Sequence, residues 1–311
     1  MTAIKPFDAQ RETIVVTLFI CTACGTQFAE RTCAKSARET PPESCPTCTD
    51  ERQYVPRGGQ RWTTLEALQS DHRNYFHRLA PGMYGVGTTP AFAIDERALL
   101  VAPGARTGAR EPMVMWDCIT LLDDATIDII RALGGLAAIA ISHPHYYTTM
   151  VEWARAFDCP LFLHADDREW VARPDPAITF WEGETRSLAD VGAEGMTLIR
   201  CGGHFAGGTV MHWAGGAEGR GALLTGDVLQ VSSDLASVSI MRSYPNNIPV
   251  SAAAVRRARD AIAPYAFDAL YGAFLNRQIE RDAKGAVERS LARLVERLEG
   301  ISGPDAPLRG R

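Results

Sequence analysis

Three apolar segments of this chain each run directly into residues that can bind a metal ion. The first, Leu136–Ile141, is followed by Ser-His-Pro-His, which places His143 and His145 two positions apart at the end of a predicted strand. The second, Met196–Arg200, is followed by Cys-Gly-Gly-His, which ends at His204. The third is the Leu-Leu-Thr-Gly-Asp run that ends at Asp227. Imidazole and carboxylate groups are ligands for zinc and iron, so the pattern predicts a metal site.

The same region alternates short apolar segments with helical stretches. The strands that precede the candidate ligands belong to this series, as does a predicted strand at Ala91–Ile94. Helices are predicted at about Asp124–Leu133, Tyr147–Phe157, Ser251–Ile262 and Asp282–Leu298. Sheets covered by helices, a layered α/β architecture, are the expected result.

Four cysteines near the N-terminus form two Cys-x-x-Cys pairs, Cys21 with Cys24 and Cys45 with Cys48. Two residues between cysteines let a tight turn direct both sulfur atoms at one ion, and two such pairs supply the four thiolates that zinc prefers. Rubredoxin-like knuckles hold iron with the same ligand set, so both metals remain open. The pattern predicts a structural metal in a zinc-ribbon or rubredoxin-like segment.

The cysteine pairs and the histidines lie in different parts of the chain, which predicts three zones. Residues 1–58 form the cysteine segment, residues 59–80 a connector helix, and residues 81–311 the large domain. The connector is predicted from Thr63-Thr64-Leu65-Glu66, which matches a helix capping box.

Composition limits the partners. The chain has 311 residues and a formal net charge of −5, and phosphate binding needs a concentrated basic face, so no nucleic-acid partner is expected. The apolar run from Ile14 to Ile20 is too short for a membrane span and lacks the layout of a signal peptide. We therefore expect a cytoplasmic protein with no membrane contact and a small-molecule substrate. Its amphipathic C-terminal helix could also support a homo-oligomer.

The ordered set of strand–His-x-His, strand–Gly-Gly-His and strand–Thr-Gly-Asp resembles the metallo-β-lactamase superfamily. The resemblance covers roughly residues 81–298, and Asp117 fits the early strand that usually ends in aspartate in that superfamily. It implies an αββα sandwich with the metal site at one edge of the two sheets.

Position by position, the resemblance implies a role for each candidate ligand. His143, His145 and His204 match the three-histidine metal site, and Asp227 matches the carboxylate that often bridges two metals.

Two departures from the superfamily pattern affect the second metal. The superfamily usually reads His-x-His-x-Asp-His, whereas Tyr147 and Thr148 occupy the last two positions here. The late strand that normally precedes a further histidine runs through Leu270–Phe274 and contains none. We therefore expect one active-site ion, either zinc or iron.

The leading functional hypothesis is hydrolysis of an ester, thioester, lactone or amide by a metal-activated water. Zinc held by three histidines leaves a coordination position for water and lowers the pKa of that water toward about 7. Asp227 is the candidate ligand or base, and Tyr146 or Tyr147 could donate a hydrogen bond to a developing oxyanion.

Two other functions remain open. Two histidines and Asp227 form the set typical of mononuclear non-haem iron, as in superfamily members that resemble persulfide dioxygenases. Alternatively the chain is a non-catalytic binding module or scaffold that docks a partner through the cysteine segment.

Supporting roles are predicted for three further residues. His164 and Asp117 end strands that can lie near the site and could orient its metal ligands. Arg242 lies in a loop-like stretch and could hold a substrate carboxylate.

Overall fold

Two large β-sheets pack face to face in the computed structural model, which describes residues 17–29, 40–104 and 111–300. Helices cover the outer face of each sheet. The layers run helix, sheet, sheet, helix, so the expected αββα sandwich is confirmed.

The first sheet has seven strands, which lie side by side in their chain order. They are β3 (Arg73–Ala80), β4 (Met83–Thr89), β5 (Ala98–Val101), β6 (Met113–Trp116), β7 (Leu136–Ala140), β8 (Leu161–His164) and β9 (Ile178–Trp181). Strands β3 to β6 pair antiparallel, and β6 to β9 pair parallel. The parallel half therefore presents the carboxyl ends of four strands at one edge.

The second sheet has six strands in the order β10-β11-β12-β13-β18-β19. They are β10 (Thr185–Ser187), β11 (Met196–Arg200), β12 (Thr209–Trp213), β13 (Ala222–Gly226), β18 (Ala269–Gly272) and β19 (Gln278–Ile279). Because β11 and β13 both pair antiparallel with β12, they run in the same direction and end at the same edge.

Seven α-helices and three two-stranded pairs lie outside these two sheets in the described chain. The helices are α1 (Pro46–Thr49), α2 (Leu65–Asp71), α3 (Asp124–Leu133), α4 (Met150–Phe157), α5 (Gly216–Gly219, a single turn), α6 (Ala252–Ile262) and α7 (Ala283–Leu298). The two-stranded pairs are β1 (Ile20–Cys21) with β2 (Trp62–Thr63), β14 (Gln230–Val231) with β15 (Val238–Ser239), and β16 (Met241–Ser243) with β17 (Ile248–Pro249). The four longer helices lie where the sequence predicted them, within three residues at each end.

Neighbouring strand residues serve different layers of the core, because successive side chains in a strand point to opposite faces. Leu99 packs between the sheets, whereas Leu100 packs under helices α3 and α4 on the outer face. On the second sheet, Leu224 faces the first sheet and Leu223 faces helices α6 and α7. Inner strands such as β5 and β13 are therefore buried on both faces.

The segment expected as a connector helix differs from the prediction. Only Leu65–Asp71 is helical, and its N-cap is Thr64, whose hydroxyl accepts a hydrogen bond from the Ala67 amide. The chain then forms β3, which joins the seven-stranded sheet through a hairpin with β4. Gly82 makes this turn with a φ of +73°, a backbone conformation suited to glycine. Residues 73–80, which the sequence assigns to the connector helix, are thus a strand of the first sheet.

The strand predicted at Ala91–Ile94 is also wrong. These residues form a turn between β4 and β5, and Ala93 has a φ of +54°, which is incompatible with an extended strand. The turn brings Ala93 and Ile94 to the rim of the cleft described below.

The cysteine segment, called here the ribbon (described residues 17–29 and 40–63), packs against the large domain. Ile20 shares a small apolar cluster with Leu68 and Leu121. The Gln27 amide donates to the Thr148 carbonyl at 3.0 Å, and the Gln27 side chain is bonded by Arg173. Across the described ranges, every helix is too short or too polar to cross a membrane.

Replacement of Leu99 by alanine tests the layer between the sheets. Leu99 is 2% exposed, so Leu99→Ala should lower the free energy of unfolding by about 2–5 kcal/mol, through lost burial and the cavity left behind. Leu235→Ala is the matched control, because Leu235 is 46% exposed and surface changes usually stay within about 0.5 kcal/mol. Urea unfolding of both variants measures the difference, and equal losses would contradict the assignment of Leu99 to the core.

Candidate metal centre

Three strand ends bring three histidines and one aspartate together at a single edge of the sandwich. His143 and His145 follow β7, His204 follows β11, and Asp227 follows β13. One potential ligand atom from each residue lies within 4.8 Å of those of the other three. All four side chains are buried. The arrangement the sequence predicted is therefore present as a compact N3O donor set.

His143 is oriented by a hydrogen-bonded chain that begins at the end of β6. The Asp117 carboxylate accepts a hydrogen bond from the Ser142 amide at 2.8 Å. Burial raises the pKa of Asp117 to about 7, and the nearby Ser142 hydroxyl opposes this rise. The Ser142 oxygen lies 2.8 Å from Nδ1 of His143. If Nδ1 donates to that oxygen, Nε2 of His143 keeps its lone pair. This nitrogen is buried and has no hydrogen-bond partner among the described residues.

His204 is oriented from the opposite side. Its Nδ1 lies 3.0 Å from the Met241 carbonyl oxygen, which can only accept, so Nδ1 carries the proton and Nε2 holds a lone pair. That Nε2 lies 3.3 Å from Nδ1 of His145. Two ring nitrogens directed at one point, beside the unpartnered Nε2 of His143, match the way imidazoles surround a cation.

Asp227 completes the set with a buried carboxyl group. Its Oδ1 makes no hydrogen bond of ordinary geometry within the described chain. Burial raises the pKa of Asp227 to about 7, and the nearby Tyr146 hydroxyl opposes this shift. A bound cation would favour the ionised form. An unpartnered buried carboxyl beside three imidazoles thus fits a metal ligand.

Burial also keeps the imidazoles neutral. It lowers the pKa of His143 and His145 well below the usual range and lowers that of His204 to about 4. Neutral imidazole is the form that binds metal ions. The three imidazoles are therefore in their metal-binding protonation state near neutral pH.

The positions that would complete a second metal site carry other side chains. Tyr147 packs in the core under α3 and α4, and Thr148 is buried beside it. The chain after β18 continues through Ala273, which is buried in the same core, to Phe274. Within the described residues, the two groups able to hold a metal are this N3O set and the four cysteines.

The four cysteines of the ribbon converge as the sequence predicted. The sulfur atoms of Cys21 and Cys48 lie 3.6 Å apart, and those of Cys24 and Cys45 lie 3.5 Å apart. Zinc–sulfur bonds of about 2.3 Å in a tetrahedron require sulfur separations near 3.8 Å, so the spacing suits one ion. Gln60 donates a hydrogen bond to the Cys21 sulfur at 2.9 Å. The donor set could hold zinc or iron.

An open cleft of about 340 Å³ leads to the N3O set. His145, His204 and Asp227 line it, and one wall comes from the ribbon through Ala23, Arg52, Gln53 and Tyr54. The other residues that line the cleft are Ala93, Ile94, Asp95, Gln230, Tyr244, Pro245 and Phe274. Sequence reasoning did not find the ribbon's share of this wall, because Arg52 and Tyr54 belong to no motif.

Three further predicted site residues, Tyr146, Tyr147 and His164, lie outside the N3O set. Neither Tyr146 nor Tyr147 lines the cleft, so their placement does not support a direct role as oxyanion donors. His164 uses both ring nitrogens locally, with the Gly183 carbonyl and the Asp166 amide.

Arg242 is also placed differently from the prediction. Its guanidinium pairs with Glu51 of the ribbon at an exposed junction. It is not among the residues that line the cleft, so its placement does not support binding of a substrate carboxylate.

Comparison with known proteins gives one close relative and a group of distant folds. The uncharacterized protein YmaE of Bacillus subtilis (strain 168) is 44% identical over 282 residues, which cover 90% of this chain and 96% of YmaE. No family model matches the chain.

Solved structures give the fold. The metallo-β-lactamase DIM-1 superposes with a TM-score of 0.52 at 14% identity, covering 74% of this chain and 99% of that enzyme. The metallo-β-lactamase FIM-1 from Pseudomonas aeruginosa gives 0.50 at 17% identity, covering 74% and 97%. These likenesses establish the metallo-β-lactamase fold.

Elemental analysis tests the two donor sets. We expect about two metal ions per chain, one in each set. The His143→Ala/His204→Ala variant should lose one ion and the Cys21→Ser/Cys24→Ser variant the other. Metal content that is unchanged by the histidine substitutions would contradict a metal at the N3O set.

Replacement of Ser142 tests the chain that orients His143. Ser142→Ala removes the hydroxyl between His143 and Asp117, and loss of such support typically weakens metal affinity about 10–100-fold. Chelator competition measures the affinity, with the exposed Ser187→Ala as control. Equal affinities for the two variants would show that Ser142 does not orient the ligand.

Proposed function

The chain belongs to the same family as Bacillus subtilis YmaE and has the metallo-β-lactamase fold, and on this premise we propose that it is a metal-dependent hydrolase. The bond cleaved would belong to an ester, thioester, lactone or amide of a small molecule. The observation that carries this proposal is the convergence of three neutral imidazoles and one carboxyl group beside an open cleft, which His145, His204 and Asp227 line.

One ion in the active site is the expected state. Tyr147 and Thr148 stand where the superfamily pattern has an aspartate and a histidine, and neither lies in the N3O set. The FIM-1 enzyme, which shares the fold, has been solved in a mono-zinc form. That precedent supports a one-metal site in this fold.

A metal ion bound to the three histidines would act as a Lewis acid and would lower the pKa of a water molecule at its open position. The residues of this chain would supply the rest. Ser142 and the Met241 carbonyl hold His143 and His204 in fixed orientations, so the site needs little reorganisation.

Asp227 is the group best placed to move a proton. Its carboxyl group is buried at the floor of the cleft, and Oδ1 has no competing hydrogen bond of ordinary geometry in the described chain. It can accept a proton from the attacking water and return it to the leaving group. The Tyr146 hydroxyl lies near this carboxyl and would help to hold it in place.

The cleft favours a substrate with a modest apolar part. Ile94, Tyr244 and Phe274 give it apolar surface, while Gln53 and Gln230 offer amides for hydrogen bonds. Its volume of about 340 Å³ is that of a small-molecule site rather than a groove for a polymer.

Replacement of Asp227 tests the proposal with a panel of esters, thioesters, lactones and amides. Asp227→Asn should lower kcat/KM by about 100-fold or more, because general acid–base groups typically contribute about 10²–10⁴-fold. Asp95→Asn is the matched control, since Asp95 also lines the cleft but lies outside the N3O set. Equal activities of the two variants would remove Asp227 from the mechanism.

Two other outcomes would replace the proposal itself. Iron at the N3O set, with oxygen consumption and no hydrolysis, would favour the mononuclear iron oxidoreductase. Absence of any metal at that set in the purified protein would favour a non-catalytic binding module.

A further inference from the structure

Arg52 belongs to the ribbon and contacts the backbone of His204, a candidate metal ligand. Its Nε donates a hydrogen bond to the His204 carbonyl oxygen at 2.9 Å. The Arg52 side chain is 11% exposed, so this bond lies in a mostly desolvated position. A hydrogen bond from a charged donor is stronger than a neutral one, particularly away from water.

The flat face of the same guanidinium covers the residue after His204. The Arg52 Cζ lies 4.3 Å from the centre of the Phe205 ring and 5.5 Å from that of Trp170. The Phe205 ring in turn lies 5.0–5.5 Å from the rings of all three histidines. Arg52 therefore fixes both the backbone of His204 and the aromatic ring against which the ligand imidazoles pack.

The ribbon holds Arg52 in turn. Asp50 accepts bonds from both the Arg52 amide and Nη1, at 2.9 and 2.8 Å. The Asp50 amide donates to the Pro46 carbonyl at the start of α1, the helix that carries Cys48. A short path of hydrogen bonds thus joins the four-cysteine set to the N3O set.

The large domain holds the same segment from the other side. The Ser243 hydroxyl donates to the Arg52 carbonyl at 3.1 Å. Asn246 donates to the carbonyls of Glu51 and Gln53 at 2.8 and 2.9 Å. The backbone of Arg52 is therefore fixed on both sides, which lets its side chain act as a rigid support.

Electrostatics alone would not favour arginine here. A guanidinium beside three imidazoles repels a metal cation that approaches them. The geometry of Arg52 favours metal binding instead, since one hydrogen bond holds His204 and one stacked face holds Phe205 in place. The two effects have opposite signs and can be separated by substitution.

We propose that Arg52 is a positioning residue that holds His204 in place for metal binding, and that Asp50 links Arg52 to the four-cysteine set. In this arrangement the ribbon helps to set the geometry of the histidine site. The proposal concerns metal binding and does not depend on which bond the protein cleaves. It extends the proposed function by giving the ribbon a role at the active site.

Arg52→Met and Arg52→Lys separate geometry from charge. Methionine removes the charge and lysine keeps it, but both lose the planar fork that bonds and stacks at once. Both variants should bind cobalt(II) at the N3O set about 10–100-fold more weakly than wild type, by analogy with other groups that orient ligands. Chelator competition gives the affinity, and the cobalt absorption spectrum should shift because the ligand field changes.

The matched control is Arg242→Met, which removes the other arginine pairing across the ribbon junction. Its cobalt affinity should stay within about twofold of wild type, since this exposed ion pair contributes little. Tighter binding by Arg52→Met with wild-type affinity in Arg52→Lys would overturn the proposal, because it would show that charge alone acts. Unchanged affinity in both would overturn it as well.

A double-mutant cycle with Asp50→Ala tests the link to the four-cysteine set. Asp50→Ala should weaken cobalt binding at the histidines, and Arg52→Met should add little further loss. Additive losses, or no loss for Asp50→Ala, would overturn the link.

These results are distinct from those that test hydrolysis. A protein that binds cobalt and responds as expected but cleaves no substrate contradicts only the proposed function. A wild-type protein that binds no cobalt at the histidines overturns both proposals.

Discussion

Four polar side chains are buried together where the two sheets meet. Burying them costs free energy, which hydrogen bonds from neighbouring residues offset. Buried polar atoms are destabilising unless they find partners. One ring nitrogen of His143 and one of His204 find such partners in the protein, at the Ser142 hydroxyl and the Met241 carbonyl. The inward-facing atoms are left directed at a common point, which a cation would satisfy. Strands β6, β7, β11 and β13 place these groups there because all four end at the same edge.

The ribbon depends on the large domain because it has little apolar core of its own. Its four cysteines pack with Ala23, Phe28 and Trp62, and Ile20 is buried against Leu68 and Leu121 outside it. Because the ribbon packs against the large domain, its residues Ala23, Arg52, Gln53 and Tyr54 line part of the cleft. Hydrogen bonds from Asp50 to Pro46, from Arg52 to Asp50 and from Arg52 to His204 therefore connect the ribbon with the histidine set.

The loss of second-site ligands changes the electrostatics of the edge. Two divalent ions placed close together repel each other and need several carboxylates to offset that repulsion. With Tyr147 packed in an apolar core and Thr148 beside it, the edge offers Asp227 as its carboxylate in the N3O set. The donor set therefore offers three imidazoles and one carboxylate, which suits a single ion.

The sequence by itself determined the layered fold, the four longer helices and both metal-binding groups. These features depend on local periodicity and on ligand-type residues at short, recognisable spacings, such as Cys45 with Cys48 or His143 with His145. The tertiary structure alone decided that residues 73–80 form a strand, because a hairpin partner and the outer core override a local helix signal. It also decided that Arg52 supports His204, whereas Arg242 pairs with Glu51 outside the cleft. Such contacts join residues separated by more than 150 positions, and no local pattern records which distant surfaces will pack together.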